Sequence, residues 1–179
     1  MSPSSPAGRR ASSGTALDRS LRAWLLALAT AVVVVLVDQA SKAAVRGSIV
    51  PGEARSVLPG LQFVNTRNRG IAFGFLPGQH WAITVLIAVA LLILLVYFAR
   101  HSTLALIWLP TGMLIGGALG NVFDRVRAGY VTDFVKLPLG WPPFNLADAA
   151  ITIGVLLLVL VIERRGVVET QSRSAERSP

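Results

Sequence analysis

Five acidic residues are candidates for chemistry, and four of them lie in or beside apolar elements, where burying a carboxylate costs free energy unless it pairs or has a function. They are Asp38, Glu53, Asp124, Asp133 and Asp148. Two carboxylates that meet can share one proton. One then draws a proton from water while the other protonates a departing group, as peptide hydrolysis requires. Glu53 lies in a Pro-Gly loop and is most simply a solvated charge, so four acids remain as candidates for such a pair.

Two of the four have partners close by in the sequence. Asp38 and Lys42 are four residues apart, which favours an ion pair within one helix. Asn121, Asp124 and Arg125 fall on one side of a predicted helix and are typical of a polar lock between helices. We therefore predict structural roles for Asp38, Lys42 and Asp124.

The other two acids have weaker structural explanations. Asp133 lies in a mostly apolar stretch with only Lys136 as a nearby basic residue, and the alternative is an acid on a surface loop. Asp148 follows Asn145 by three residues, a spacing that also fits a capped helix start. Capping does not explain why a second carboxylate should stand at the same depth, so Asp133 and Asp148 are the favoured acid–base pair.

Other hydrolytic chemistries find little support in the sequence. There is no cysteine, which excludes thiol catalysis and thiolate-bound metals. No His-Glu-x-x-His or Gly-x-Ser-x-Gly motif occurs, and the only histidines are His80 and His101. Ser41 and Lys42 adjoin, but neighbours on a helix point in different directions. The sequence predicts neither a metal site nor a cofactor.

The composition predicts a membrane protein. Of 179 residues, 53% are hydrophobic and only 15% are charged, which is too apolar for a soluble domain of this size. Four apolar runs approach the roughly 20 residues that cross a bilayer, so we predict spans at about 21–44, 81–98, 104–123 and 146–162. The expected fold is an all-α integral membrane protein, with one domain at residues 21–165.

The charges suggest how the chain is oriented. The net charge is +8, but the basic residues flank apolar runs, which fits a membrane surface better than nucleic acid. A cytoplasmic N-terminus places nine of the 17 Lys and Arg residues inside, which are Arg9, Arg10, Arg19, Arg22, Arg100, Arg164, Arg165, Arg173 and Arg177. Residues 1–20 and 166–179 are predicted to be disordered cytoplasmic tails. The segments 45–80 and 124–145 then lie outside and carry the polar chemistry.

Two local patterns predict how the elements are arranged. Gly112, Gly116 and Gly120 form a small-residue stripe that lets another helix approach closely. Two β-prone stretches, residues 56–58 and 61–64, are separated by Pro59 and Gly60, which indicates a small extracytoplasmic hairpin over the helix ends.

Five motifs in this order resemble the lipoprotein signal peptidase family, also called signal peptidase II. They are Asp-Gln-Ala-Ser-Lys at 38–42, Asn-Arg-Gly-Ile-Ala-Phe-Gly at 68–74, Gly-Asn-Val-Phe-Asp-Arg at 120–125, Val-Thr-Asp-Phe at 131–134, and Phe-Asn-Leu-Ala-Asp at 144–148. The resemblance extends from Asp38 to Gly154. Two features depart from the family pattern: Ile71 replaces a small residue, and the segment between Asp133 and Asp148 is shorter than usual.

The resemblance implies an aspartic endopeptidase of the bacterial cytoplasmic membrane. Such an enzyme cleaves lipid-modified precursor proteins immediately before a diacylglyceryl cysteine and uses two aspartates without a cofactor. It implies Asp133 and Asp148 as the catalytic residues. The positions implied to support the pair or the substrate are Asn68, Gly70, Asn121, Arg125 and Asn145.

The residues alone leave two other classes of protein open. A transporter or channel subunit would use its acids to relay ions, although it should need them in the middle of the membrane. A structural subunit would use the glycine stripe and ion pairs only to hold helices together, and leaves Asp133 and Asp148 without a task. On the peptidase interpretation we expect a monomer that contacts membrane lipids and precursor proteins.

Overall fold

A computed structural model describes residues 10–70 and 80–176 of the chain. Part of the 68–74 motif, including Ile71, lies outside the described residues, as do the ends of both tails. The elements, in chain order, are α1 (Arg10–Ser48), β1 (Ala54–Leu58), β2 (Leu61–Asn68), α2 (His80–His101), α3 (Trp108–Ala128), β3 (Val131–Lys136) and α4 (Leu146–Glu176). The described chain is thus mostly helical, with one small sheet.

The four predicted runs all form helices, and the first and last are longer than expected. Helix α1 begins at Arg10 and α4 continues to Glu176, so residues 10–20 and 166–176 are helical where the sequence predicts disordered tails. An existing helix extends at little cost because each further residue adds a hydrogen bond, whereas nucleation is the costly step. Within the described part, the stretches Leu17–Ser48 and Leu146–Gly166 are long and apolar enough to cross a membrane.

The glycine stripe of α3 lies directly against α1, as predicted. A Cβ at Gly112 would stand 2.6 Å from the backbone oxygen of Ala27, and one at Gly116 would stand 2.7 Å from that of Ala31. Neither helix could come so close if these positions carried a side chain. The two backbones therefore touch along the stripe, which brings the polar end of α1 against the polar end of α3.

Helix α4 packs on a neighbouring face of α3 through another glycine. A Cβ at Gly117 would lie 2.5 Å from the backbone oxygen of Ala147 and 2.8 Å from a side-chain carbon of Ile151. The first turn of α4 is thereby fixed against the middle of α3. The residue after Ala147 is Asp148, so this contact also determines where that carboxylate stands.

The sheet is antiparallel with the order β1-β2-β3. Strands β1 and β2 form the predicted hairpin, with Gly60 at φ +83° in the turn between them. The third strand is not foreseen by the sequence: β3 pairs with β2 so that Thr66 is opposite Asp133 and Asn68 is opposite Val131. This pairing carries Asp133 to the edge of the helical bundle.

The sheet is anchored on the end of α1. Phe134 packs with Val45 and Ile49 in a buried apolar cluster, and the rings of Phe63 and Phe134 meet edge to face at 6.2 Å. Asn65 donates its side-chain amide to the backbone oxygen of Ile49 at 2.7 Å. The sheet and the polar ends of the helices consequently form one continuous structure.

Large apolar side chains cover the outside of the helices. Because no water-facing surface of a soluble protein exposes so many in continuous bands, these are the surfaces that contact lipid in a membrane protein. Exposed examples are Leu25, Leu28, Leu36, Leu92, Ile93, Leu156 and Leu160.

Candidate active site

The first turn of α4 holds one of the two favoured carboxylates. Asn145 precedes the helix, and its Oδ1 accepts a hydrogen bond from the backbone N–H of Asp148 at 3.0 Å. In return, Asp148 Oδ2 accepts one from the backbone N–H of Asn145 at 3.2 Å. This reciprocal arrangement is a capping box, and it confirms the predicted cap while also fixing the Asp148 side chain.

Asn145 also contacts the second carboxylate. Its Nδ2 donates to Asp133 Oδ1 at 2.6 Å, and Asn68 Nδ2 donates to Asp133 Oδ2 at 2.9 Å. The chain can place Asn145 here because Phe144 pairs with Val135 of β3 just before it. One asparagine thus bridges Asp133 and Asp148, which are the two acids that the sequence favours as a pair.

A third asparagine completes the set. Asn121 donates Nδ2 to Asp148 Oδ1 at 2.8 Å. The amide oxygen of each of these three asparagines is contacted by a group that can only donate a hydrogen bond. The other terminal atom, the NH₂ nitrogen, must therefore face a carboxylate. The three donors are the backbone N–H of Gly70 for Asn68, Lys42 for Asn121, and the backbone N–H of Asp148 for Asn145.

Asp133 stands outside the helices, on β3, and its environment alters its acidity. Burial raises the pKa of Asp133 to about 6, against the hydrogen bond from Asn68 that lowers it. The nearby carboxylate of Asp148 raises it further, while Asn145 and Lys42 lower it. A carboxyl group with such a pKa exchanges its proton near neutral pH, as an acid–base catalyst must.

Asp38 and Asp124 belong to a neighbouring buried group, here called the Lys42 cluster (Asp38, Gln39, Lys42, Asn121 and Asp124), whereas Glu53 is exposed as predicted. Lys42 Nζ lies 2.8 Å from Asp38 Oδ2 and 3.0 Å from Asp124 Oδ2. Gln39 donates to Asp38 and Asp124 at 3.1 and 3.2 Å. The predicted Asp38–Lys42 ion pair is confirmed, and Asp124 joins it rather than the Asp133–Asp148 pair.

Arg125 does not share the contacts of Asp124, so the predicted trio on one helix side divides. Its guanidinium donates to the backbone oxygens of Gly70 and Asn121, both at 3.3 Å. Its Nε is buried and has no hydrogen-bond partner among the residues that the structure describes. Arg125 is therefore held beside the carboxylate pair by two backbone oxygens.

A cavity of about 1030 Å³ opens beside these groups. One part of its wall is polar and includes Asp133, Asp148, Asn68, Asn121 and Arg125. The rest is largely apolar, with side chains from α2, α4 and the segment before α4, among them Leu86, Trp141, Pro143 and Ile151. A molecule bound here would meet both carboxylates at one end and apolar surface along its length.

Sequence reasoning missed several residues that build this region. Gln39 and Thr132 both contact Asp124, and Asn65 fastens β2 to α1. Gln39 had a detectable signal, since it is a polar residue beside Asp38 inside a predicted membrane span. Thr132 uses only its backbone N–H for this contact, and no side-chain pattern could reveal that. Among the described side chains, no group of three or more His, Cys, Asp or Glu could hold a metal ion.

Comparison with known proteins gives a consistent answer. The family model described as signal peptidase (SPase) II matches residues 30–163. The lipoprotein signal peptidase of Syntrophomonas wolfei is 44% identical over 131 residues, which is 72% of this chain and 87% of that protein. The lipoprotein signal peptidase of Paraburkholderia phymatum is 40% identical over 153 residues, covering 82% of this chain and 90% of that protein.

Solved structures agree. A bacterial membrane enzyme solved by the in meso method at 2.3 Å resolution superposes with a TM-score of 0.73 at 31% identity. The match covers 77% of this chain and 87% of that one. With three quarters of its length matched by one family model and its fold shared with a membrane enzyme, this chain belongs to the signal peptidase II family.

Proposed function

We propose that Asp133 and Asp148 are the catalytic pair with which this membrane peptidase removes signal peptides from lipoprotein precursors, cleaving before a diacylglyceryl-modified cysteine. The observation that carries the proposal is the bridge through Asn145, which donates to Asp133 Oδ1 at 2.6 Å and to Asp148 Oδ2 at 3.2 Å. Membership of a peptidase family also decides against the two alternative classes of protein, an ion transporter and an assembly subunit, because the family consists of enzymes.

The reaction follows from sharing one proton between the two carboxyl groups. The ionised member takes a proton from a water molecule, and the resulting hydroxide attacks the scissile carbonyl carbon. The other member then gives its proton to the amine nitrogen as the C–N bond breaks, so the cysteine-bearing product leaves with a new N-terminus. The pKa of Asp133, raised by burial to about 6, suits it to the first of these tasks at neutral pH.

The cavity suits a substrate that is partly peptide and partly lipid. The scissile bond would lie at the polar end, against Asp133 and Asp148, and the acyl chains would lie on the apolar wall near Leu86 and Ile151. Burying the chains supplies binding energy and holds the bond at the carboxylates. Asn68, Gly70, Asn121, Asn145 and Arg125, all of which line the cavity or contact the pair, would keep the pair and the peptide in place.

We further propose that all four helices cross the bacterial cytoplasmic membrane, with both termini in the cytoplasm. The polar end of α1, the sheet and the start of α4 would then lie together at the outer face, where lipid-modified precursors are accessible. The arginine-rich ends of α1 and α4 would remain inside. The enzyme would act as a monomer, because one copy of the chain supplies both carboxylates and the three asparagines that contact them.

Purified protein incubated with a diacylglyceryl-modified precursor peptide tests the function. We expect cleavage on the N-terminal side of the modified cysteine and none of the same peptide lacking the lipid. Asp133→Asn and Asp148→Asn should each lower turnover by at least about 1000-fold, since an amide can neither accept the proton of water nor return one. Either variant retaining near-normal turnover while folded would refute the assignment of the pair.

A further inference from the structure

Lys42 is a fully buried cation whose donors are all used. Its side chain is 0% exposed. The three N–H bonds of its ammonium group are directed at Asp38 Oδ2, Asp124 Oδ2 and Asn121 Oδ1, at 2.8, 3.0 and 3.0 Å. Two of these partners are carboxylates and balance its charge. The third is the neutral amide of Asn121, whose nitrogen contacts Asp148 of the carboxylate pair.

The contact with Asn121 decides which way that amide points. An asparagine amide can turn by half a rotation and exchange its oxygen and nitrogen, but an ammonium group has no acceptor and tolerates only the oxygen. With Oδ1 held at Lys42, Nδ2 must face Asp148 Oδ1, which it contacts at 2.8 Å. The side chain of Lys42 thus controls a hydrogen bond to a carboxylate that it does not itself touch.

A second connection runs from the same cluster to the same place. Asp38 Oδ1 accepts the backbone N–H of Ala147 at 3.0 Å, and Ala147 is the residue before Asp148. Asp38 in turn is held by Lys42. Helix α1 therefore fixes Asp148 in two ways. Lys42 orients Asn121, which bonds to the Asp148 carboxylate, and Asp38 holds the backbone N–H of Ala147, the preceding residue.

We propose that Lys42 is a positioning residue for the cleavage reaction, acting through Asn121 to keep Asp148 Oδ1 occupied as an acceptor and Oδ2 as the oxygen that exchanges the proton. Both oxygens of Asp148 receive an N–H bond, at 2.8 Å for Oδ1 and 3.2 Å for Oδ2, and the proton is carried by the oxygen whose N–H contact is weaker. Oδ2 has the longer contact, 3.2 Å from the backbone N–H of Asn145. This inference rests on the proposed catalytic pair.

A role in stability alone would predict a different result, so the test must separate the two. Lys42→Met by itself would strand two buried carboxylates, which is strongly destabilising. The substitution is therefore made in an Asp124→Asn background, where it removes one positive charge after one negative charge has already gone. Asn121→Ala removes the other end of the same connection.

We expect Lys42→Met, compared with Asp124→Asn alone, to lower kcat by about 10- to 100-fold while KM changes by less than about twofold. Asn121→Ala should cause a similar loss. Once Asn121→Ala is present, adding Lys42→Met should cost less than a further factor of about two, because the connection is already cut. Rates are measured per folded molecule on the lipid-modified peptide.

Arg46→Gln is the matched control. Arg46 lies at the other side of the Lys42 cluster, 3.9 Å from Asp124 Oδ1 and 3.1 Å from Thr132 Oγ1, and neither of these contacts involves Asn121. Removing its charge should leave kcat within about twofold. If the Met variant does not fold, Lys42→Gln in the same background replaces it, since a glutamine can still donate to Asp38 but no longer dictates the amide of Asn121.

The inference is overturned if substitution of Lys42 leaves kcat unchanged. It is also overturned if the double variant loses kcat by the product of the fold-losses that the Lys42 and Asn121 substitutions cause separately. A wrong assignment of the catalytic pair would give a different result. Asp133→Asn or Asp148→Asn would then keep turnover, regardless of the effect of substituting Lys42.

Discussion

Asn145 donates its side-chain amide to Asp133 at 2.6 Å, which is the shortest of the hydrogen bonds around the carboxylate pair. The same residue caps α4, so the bond links the strand that carries one acid to the helix that carries the other.

Asn145→Ala should separate these two acids and lower kcat on the order of 100-fold, along with about 1 kcal/mol of stability lost with the cap. Asn65→Ala is a suitable control. Asn65 is also buried and bonds to a backbone oxygen, but it contacts neither acid, so its loss should lower the melting temperature and spare kcat. Equal effects of both substitutions on kcat would contradict the bridge.

The pH profile should report the raised pKa of Asp133. With a pKa of about 6, this carboxyl group keeps its proton in more acidic solution, and the pair then has no base. We expect kcat/KM to rise about tenfold per pH unit below pH 6 and to level off above it. Asn68→Ala removes a hydrogen bond that lowers this pKa, so the rise should move to higher pH. A shift to lower pH, or a profile flat from pH 4.5 to 7, would contradict the role of Asp133 as the base.

Asp124→Asn should act on stability rather than chemistry. The buried carboxylate accepts at both oxygens: Oδ2 from Lys42 and the backbone N–H of Thr132, and Oδ1 from the side-chain amide of Gln39. An asparagine amide cannot accept at both its terminal atoms. We expect the free energy of unfolding to fall by about 2 kcal/mol, with kcat kept within about threefold per folded molecule. Thermal melting in detergent, read beside turnover, checks this. A stable variant without activity would place Asp124 in the chemistry instead.

Gly117→Ala should displace the first turn of α4, which carries Asp148. The added carbon would stand 2.5 Å from the backbone oxygen of Ala147, so α4 must move and carry Asp148 with it. We expect a loss of about 1–3 kcal/mol and at least about a tenfold drop in kcat. Gly47→Ala is the control: nothing lies within 4 Å of its added carbon, and alanine favours a helix. Normal kcat in Gly117→Ala would mean that α4 tolerates displacement.

Reporter fusions test the orientation. Fusions near Arg100 and after Gly166 should report the cytoplasm, and fusions near Gly52 or Gly140 should report the exterior. An exterior C-terminus would be incompatible with four spans that start from a cytoplasmic N-terminus, and the carboxylate pair would then need a different location.

Patterns close in sequence predicted much of the structure. The helices at the apolar runs, the Asp38–Lys42 ion pair, the close helix contact at the glycine stripe and the hairpin at Gly60 all depend on residues within a few turns of each other, and each is confirmed. That all four helices cross the membrane stays a prediction. Strand β3 was missed because its partner lies more than sixty residues away, and its short apolar stretch has no period of its own.

The separation of Asp124 from Arg125 was also beyond local reasoning. Adjacent residues on α3 turn to different neighbours, Asp124 to Lys42 of α1 and Arg125 to the backbone of Gly70. Which neighbour each one meets depends on how α1 and β2 dock, and that is decided by packing along the whole bundle.

The fully buried Lys42 has a consequence for the order of events during synthesis. Its partner Asn121 follows 79 residues later, so on the proposed four-span topology α1 enters the bilayer before α3 is made. During that interval only Asp38, one helical turn away on the same segment, can neutralise it. The pair lets this part of the nascent helix enter lipid with the charges of Asp38 and Lys42 neutralised. When α3 arrives, Asp38 becomes one member of the permanent Lys42 cluster.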